Sequence, residues 1–213
     1  MTAWVVNGAG PPKDVLQLKS DVSTPGPPEG ADILVKVSYA ALNPMDLVLM
    51  KMWIPFRRNG IPAVDFAGEI IQVGPDVSTS SLRPGMTVCG MLPTSLILRG
   101  YGTLAEYMVV SGDMVAEKPK QMDSAAAAGA MGVAGQSSAI LIRAADLGEH
   151  RKVLINGSSG GLGTLLVQVL HAQGHEVVGI CSKSNEDMVK RLGASEVSST
   201  ATRNQVARAK LTF

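Results

Sequence analysis

The sequence predicts a chain of two parts: a β-rich barrel or sandwich of the α+β class, followed by a parallel β-α-β unit of the α/β class. Three observations carry this. Short apolar runs punctuated by glycine and proline fill the first 122 residues, the hydrophobic period changes after Met122, and the stretch Leu154–Gly163, LINGSSGGLG, sets a glycine loop between an apolar run and an amphipathic one. Boundaries follow at 1–122 and 123–213. With 213 residues, 46% of them hydrophobic, the chain has material for a real core; with 17% charged residues and a net charge of +1 it carries neither the signature of disorder nor the electrostatic footprint of a nucleic-acid binder.

In order along the chain, MTAWVV and DILVKVSYAAL read as strands, separated by STPGPPEGAD, whose prolines exclude a helix or a central strand. FAGEIIQVG alternates and ends at Gly74; GMTVCGML follows the RPG turn at Arg83–Gly85, and LAEYMVV follows Gly102. Strands this short and this closely spaced make a small β domain. From Asp123 an alanine-rich helical stretch leads to the strand KVLIN, the glycine loop, the helical run TLLVQVLHAQG, the strand EVVGIC and the helical run NEDMVKRLG. That order is the unit of a parallel sheet with crossover helices. The uncharged stretch Ser124–Ile142 has nearly the length of a membrane span, but alanine, glycine, serine and glutamine give it little transfer free energy, so a packed internal helix is expected.

Cys89 and Cys181 lie far apart without a CxxC spacing, which argues against a disulfide framework or a structural zinc. The first residues lack a basic region followed by an apolar core. A reducing, cytoplasmic location is expected, with no membrane and no nucleic acid among the partners. His171 and His175 are four apart, but Gly174 between them ends the helix and no third ligand is near, so no metal site is expected.

The glycine loop is where chemistry becomes legible. Gly157, Gly160 and Gly163 form a G-x-x-G-x-x-G pattern delivered by a strand into a helix. The first glycine permits the tight turn, Gly160 and Gly161 let backbone approach a pyrophosphate, and Gly163 lets helix and strand pack closely. The phosphate-facing stretch is therefore Ser158, Ser159, Gly160, Gly161 and Leu162, at a helix N-terminus whose N–H groups favour anions. At the end of the next strand, where a cofactor site selective for NAD carries an acid, the chain has Ser182, Lys183 and Ser184. These donors suit a 2′-phosphate and predict NADPH, the alternative being a solvated loop lysine. The Asn156-Gly157-Ser158 sequon lies inside the phosphate loop and is read as accidental.

The stretches AALNPMDLVLM (40–50), IPAVDFAGEIIQVG (61–74), RPGMTVCGM (83–91), GTLAEYMVV (102–110) and VLINGSSGGLGTLLVQVLHAQGHEVVGICS (153–182) together resemble the medium-chain dehydrogenase/reductase superfamily, on its zinc-independent quinone oxidoreductase and enoyl reductase side. The resemblance implies a GroES-like β-rich domain, a Rossmann cofactor domain, and an active site in the cleft between them. Zinc-dependent members carry a Cys near the position of Asn43 and a GHE motif near Val64–Phe66; here LNPMD and VDFAG stand instead, so zinc chemistry is not expected.

It further implies hydride transfer from NADPH to an activated alkene, enoyl or quinone substrate, with Asn43 and Asp46 bordering nicotinamide and substrate, Tyr39 and Tyr101 as further proton-donor candidates, and Val133 near the nicotinamide amide. The alternative for the pair is local, Asn43-Pro44 as a turn and Asp46 as a helix cap. The family pattern runs on where SSTATRNQVARAKLTF (198–213) departs from it, so the second half of the cofactor fold is expected to be missing and KVLIN to form an open sheet edge. That edge suits a homo- or hetero-oligomer, and the alternative function is an inactive, truncated interaction subunit.

Overall fold

The computed structural model describes residues 1–52, 59–78 and 81–199, and the chain divides into two compact units, Met1–Val133 and Ala134–Phe213. The tail from residue 200, to which most of the expected departure from the family belongs, lies outside the described residues.

In the first unit, β1 (Ala3–Val6), the short α1 (Pro12–Val15) and β2 (Leu16–Lys19) form an antiparallel ribbon in which Ala3 faces Lys19. β3 (Asp32–Ala41) runs into α2 (Pro44–Lys51), and then come β4 (Asp65–Val73), β5 (Thr87–Met91), α3 (Thr94–Leu98), β6 (Tyr107–Ser111) and β7 (Val115–Glu117). Five of these strands make an antiparallel sheet in the order β6-β3-β4-β5-β7. Two register shifts in the pairing of β3 with β4, at Leu34/Val35 and Val37/Tyr39, mark irregularities of the kind that bend a strand and raise its twist. The core lies against β3 and β4, where Ile33, Val35, Phe66 and Ile70 are fully buried together with Val88, Leu92 and Ile97.

The strand-to-helix change of period at Met122 does not coincide with the division between units. α4 (Ser124–Ala130) is capped by Asp123, whose Oδ1 accepts the Ala126 N–H at 2.7 Å, and its buried Ala127 and Ala128 pack with Ala67 of β4 and Cys89 of β5. Alanine lets this helix lie close on the sheet, so it belongs with the β-rich unit although its own period is helical. The stretch expected as one packed helix breaks at Met131–Gly132, and α5 (Val133–Ala145) begins beyond it. Among the described residues no single helix is long and apolar enough to cross a membrane.

The second unit holds β8 (Lys152–Asn156), α6 (Gly161–Ala172), β9 (Glu176–Cys181), α7 (Glu186–Arg191) and β10 (Glu196–Ser199). The sheet is parallel in the order β10-β9-β8, with Lys152 Nζ bonded to Glu176 and Glu196 carboxylates at 2.7 Å each across all three strands. α6 buries Val167 and Leu170 against Ile155, Val177 and Cys181. The expected parallel α/β unit is thus present, with β10 as an additional strand. Among the described residues β8 pairs only with β9, and its Leu154 is 42% exposed.

Candidate functional site

Two constellations emerge, one in each unit. The first is built on the N-terminus of α2. Asn43 is the N-cap in extended conformation, Pro44 fixes the first helical residue, and Asp46 Oδ2 accepts the Asn43 backbone N–H at 2.6 Å while the Asp46 N–H returns to the Asn43 carbonyl at 3.0 Å. Asp46 is therefore buried as the partner of the cap, the local role that stood as the alternative in the sequence.

The Asn43 side chain is committed elsewhere. Its Nδ2 donates to Asp65 Oδ2 at 3.0 Å, and Asp65 Oδ1 accepts the backbone N–H of Val133 at 2.9 Å. Asp65, the first residue of β4, is 1% exposed. Its surroundings are closed on every side. A Cβ at Gly132 would overlap the Asp65 carboxyl, Thr103 Oγ1 donates to the Asp65 carbonyl at 3.0 Å, and the buried Ala63 two residues earlier sits at φ +73°. A left-handed alanine in a packed interior is strain that the surrounding structure must hold in place.

Burial raises the Asp65 carboxyl above its ordinary 3.8; the Asn43 amide and the Val133 N–H pull it back down, and the Asp46 carboxylate raises it further. Asp65 was passed over in the sequence because VDFAG was compared only with zinc ligands. A usable signal was present: one acid among Val64, Phe66 and Ala67 in a strand is the rare residue that must be paired when buried.

Of the remaining candidates in this unit, Val133 enters through its backbone N–H, which Asp65 takes. Tyr39, on β3 opposite Ala67, is 51% exposed and Tyr101 is also exposed; neither joins the Asn43–Asp65 cluster through a hydrogen bond among the described residues.

The second constellation is the glycine loop. Gly157 turns the chain at φ +81°, and both its N–H and that of Ser158 donate to the Ile180 carbonyl at 3.0 Å. Ser158 is fully buried and adds its hydroxyl to the same carbonyl at 3.0 Å, so this candidate fastens the loop to β9 and faces inward. Ser159 is half-buried, Gly160 caps α6, and Gly161 and Leu162 open its first turn, where backbone N–H groups lack an intrahelical acceptor.

The glycines divide their work. A Cβ on Gly161 would meet nothing, whereas one on Gly163 would overlap the Gly157 carbonyl and stand 2.8 Å from Ser158 Cα. The open side of the loop thus lies at Gly160–Leu162, which fits an anion approaching the helix end. After β9, Ser182 and Ser184 share a hydroxyl contact at 3.2 Å, and Ser182, Lys183 and Ser184 are all exposed. No hydrogen bond or ion pair holds the Lys183 ammonium among the described residues. Nor, among them, do three His, Cys, Asp or Glu side chains gather as metal ligands.

A β-rich unit followed by a parallel unit with its glycine loop before the first crossover helix defines the class. Residues 29–120 match the alcohol dehydrogenase GroES-like domain family. A zinc-type alcohol dehydrogenase-like protein of Schizosaccharomyces pombe is 34% identical over 91% of this chain, and an NAD(P)H oxidoreductase of Danio rerio, a mitochondrial protein, is 31% identical over 92%. The solved quinone oxidoreductase of Coxiella burnetii superposes on 97% of the chain with a TM-score of 0.83 and 28% identity. These matches support a member of the medium-chain dehydrogenase/reductase superfamily. It spans 57% and 54% of the two relatives and 64% of the solved chain.

Proposed function

We propose that this chain carries the first part of an NADPH-dependent reductase that passes a hydride to an activated alkene, enoyl or quinone acceptor without a catalytic zinc. The observation that carries the reading is the loop between β8 and α6: its open residues, Gly160, Gly161 and Leu162, lie at the helix N-terminus, and its closed ones, Ser158 and Gly163, are spent on holding it there. The relatives named for quinone and NAD(P)H oxidoreduction support the same reading.

When bound, the nicotinamide supplies the hydride. The chain's own residues bind and orient. The N–H groups of Gly161 and Leu162 would hold the pyrophosphate, and Ser182 and Lys183 the ribose 2′-phosphate, for which an exposed ammonium with no hydrogen bond or ion pair among the described residues is suited. Asn43 retains one amide N–H for the acceptor's carbonyl oxygen, polarising it as negative charge develops. An amide and a carboxylate at Asn43 and Asp65, with no thiolate or imidazole beside them, support the zinc-free form. Two buried free thiols, Cys89 and Cys181, support a reducing, cytoplasmic setting.

A titration with NADPH and NADH, followed by nicotinamide fluorescence, tests the cofactor assignment. NADPH is expected to bind more tightly, and Lys183→Ala to remove most of that preference while leaving NADH affinity unchanged. An unchanged preference would mean that Lys183 is a solvated loop residue. One observation favours a second reading, an interaction subunit: among the described residues β8 has a strand neighbour on one side only, with Leu154 exposed. A sample that binds neither cofactor but self-associates, measured by sedimentation, would favour it over the reductase.

A further inference from the structure

Asn43 is held at two points that belong to different parts of the chain. Its backbone N–H goes to Asp46 within α2, and its side-chain Nδ2 goes to Asp65 on β4. The second bond decides which way round the amide stands. An ionised carboxylate only accepts, so the NH2 group must face Asp65 and the carbonyl oxygen must face away. Asp65 cannot turn to release it, because its other oxygen holds the Val133 N–H and Gly132 closes the space beside it. Among the described residues no hydrogen bond takes the second Asn43 N–H, while the Asn43 side-chain oxygen faces the Asp46 backbone N–H as the other half of the capping box.

We propose that Asp65 is a positioning residue: it fixes the orientation of the Asn43 amide and ties it to Val133 at the start of α5, so that the second N–H of Asn43 is presented in a single arrangement. This rests on the reading that Asn43 faces the acceptor. The clamp itself stands on geometry, and the two parts are separable by experiment.

The test uses the full chain and three variants, Asp65→Asn, Asn43→Asp and the double exchange. Asp65→Asn is isosteric but sets a donor against a donor, and an Asn43 amide that turns over to rebuild the bond gives up its capping-box contact with the Asp46 backbone N–H, so one bond is lost either way. In the double exchange the clamp is rebuilt in reverse: Asn at 65 donates to Asp at 43 and still accepts from Val133. The first readout is the 15N-edited spectrum of the side-chain amides. The Asn43 pair, identified by its loss in Asn43→Asp, is expected to show two widely separated proton shifts in the parent protein and a collapsed separation in Asp65→Asn. Unchanged shifts would overturn the proposal. The second readout is thermal stability, lowered in each single variant and recovered in the double exchange; no recovery would also overturn it.

The third readout is turnover of a quinone with NADPH. Asp65→Asn is expected to lower kcat about 100-fold, the scale of a misplaced catalytic group, with NADPH affinity unchanged because the phosphate loop is untouched. The double exchange is expected to recover stability without recovering kcat, since a carboxylate then stands where the amide donor stood. Full recovery of kcat would overturn the role of Asn43 as donor. Absence of turnover in the parent protein would defeat the proposed activity, and the amide signals and stability cycle would still decide the clamp.

Discussion

Substituting alanine at Gly161 and at Gly163 separates the two jobs of the phosphate loop. The added methyl at Gly163 would overlap the Gly157 carbonyl oxygen and press on Ser158 Cα at 2.8 Å, both of them backbone and unable to swing aside. Overpacking costs about 1–3 kcal/mol, and against backbone that cannot yield it costs about 2–3 kcal/mol. Alanine's helix preference over glycine returns at most about 1 kcal/mol, leaving a net loss of about 1–2 kcal/mol. At Gly161 the methyl meets nothing, so only the favourable helix term remains and stability holds or rises slightly. The ligand effects run the other way. The Gly161 methyl projects into the space through which a pyrophosphate approaches, and NADPH is expected to lose about tenfold in affinity, about 1.4 kcal/mol.

The stability arm needs a probe inside the second unit, because both tryptophans, Trp4 and Trp53, precede it in the chain. Amide hydrogen exchange at Val177 and Ile180 of β9 supplies one. Gly163→Ala is expected to lower protection there by about 5–30-fold, the ratio that a loss of one to two kcal/mol produces. Fluorescence titration of NADPH completes the comparison. If Gly161→Ala bound NADPH like the parent, or Gly163→Ala left exchange unchanged, the division between an open and a closed side of the loop would be wrong.

Ser158→Ala removes one of three hydrogen bonds to the Ile180 carbonyl and leaves that oxygen served by the N–H groups of Gly157 and Ser158, so it should cost about 0.5–1.5 kcal/mol. NADPH affinity should stay within twofold; a larger loss by fluorescence titration would restore Ser158 as a direct ligand. For Asp65, burial raises the folded carboxyl above its unfolded value near 3.8, so the folded state binds its proton first and this group's contribution to stability falls as pH rises from that value through the folded one. Urea midpoints of the parent protein minus those of Asp65→Asn should therefore decline with rising pH across that interval. A flat difference, or one that climbs, would show that the hydrogen bonds from Asn43 and Val133 outweigh burial.

What was legible in the sequence followed from periodicity and from glycine. KVLIN, the loop and TLLVQVLHAQG announced β8 and α6 because a parallel strand, a tight turn and an amphipathic helix each leave a distinct local pattern. β10 was missed, since EVSS has little strand character of its own and acquires it by pairing with β9. α4 was legible as a helix but not as a companion of the β-rich unit, because close packing of alanine on Ala67 and Cys89 is a tertiary fact.

The Asn43–Asp65 pair shows where local reading stops. Asn43-Pro44 with Asp46 three residues into the turn is a complete local explanation: an N-cap, a first helical proline and a reciprocal backbone bond. The asparagine side chain has a local role of its own there, its oxygen facing the Asp46 backbone N–H in the capping box, and nothing within that segment calls for a further one. Only the amide NH2 is left for another partner. That partner lies 22 residues away on β4, beyond a left-handed alanine that has no sequence signature, and beside a glycine at 132 whose small size matters only once Asp65 is placed against it. A buried acid with two amide partners constrains three segments of chain at once, which makes its substitution informative about geometry even where the charge itself does no chemistry.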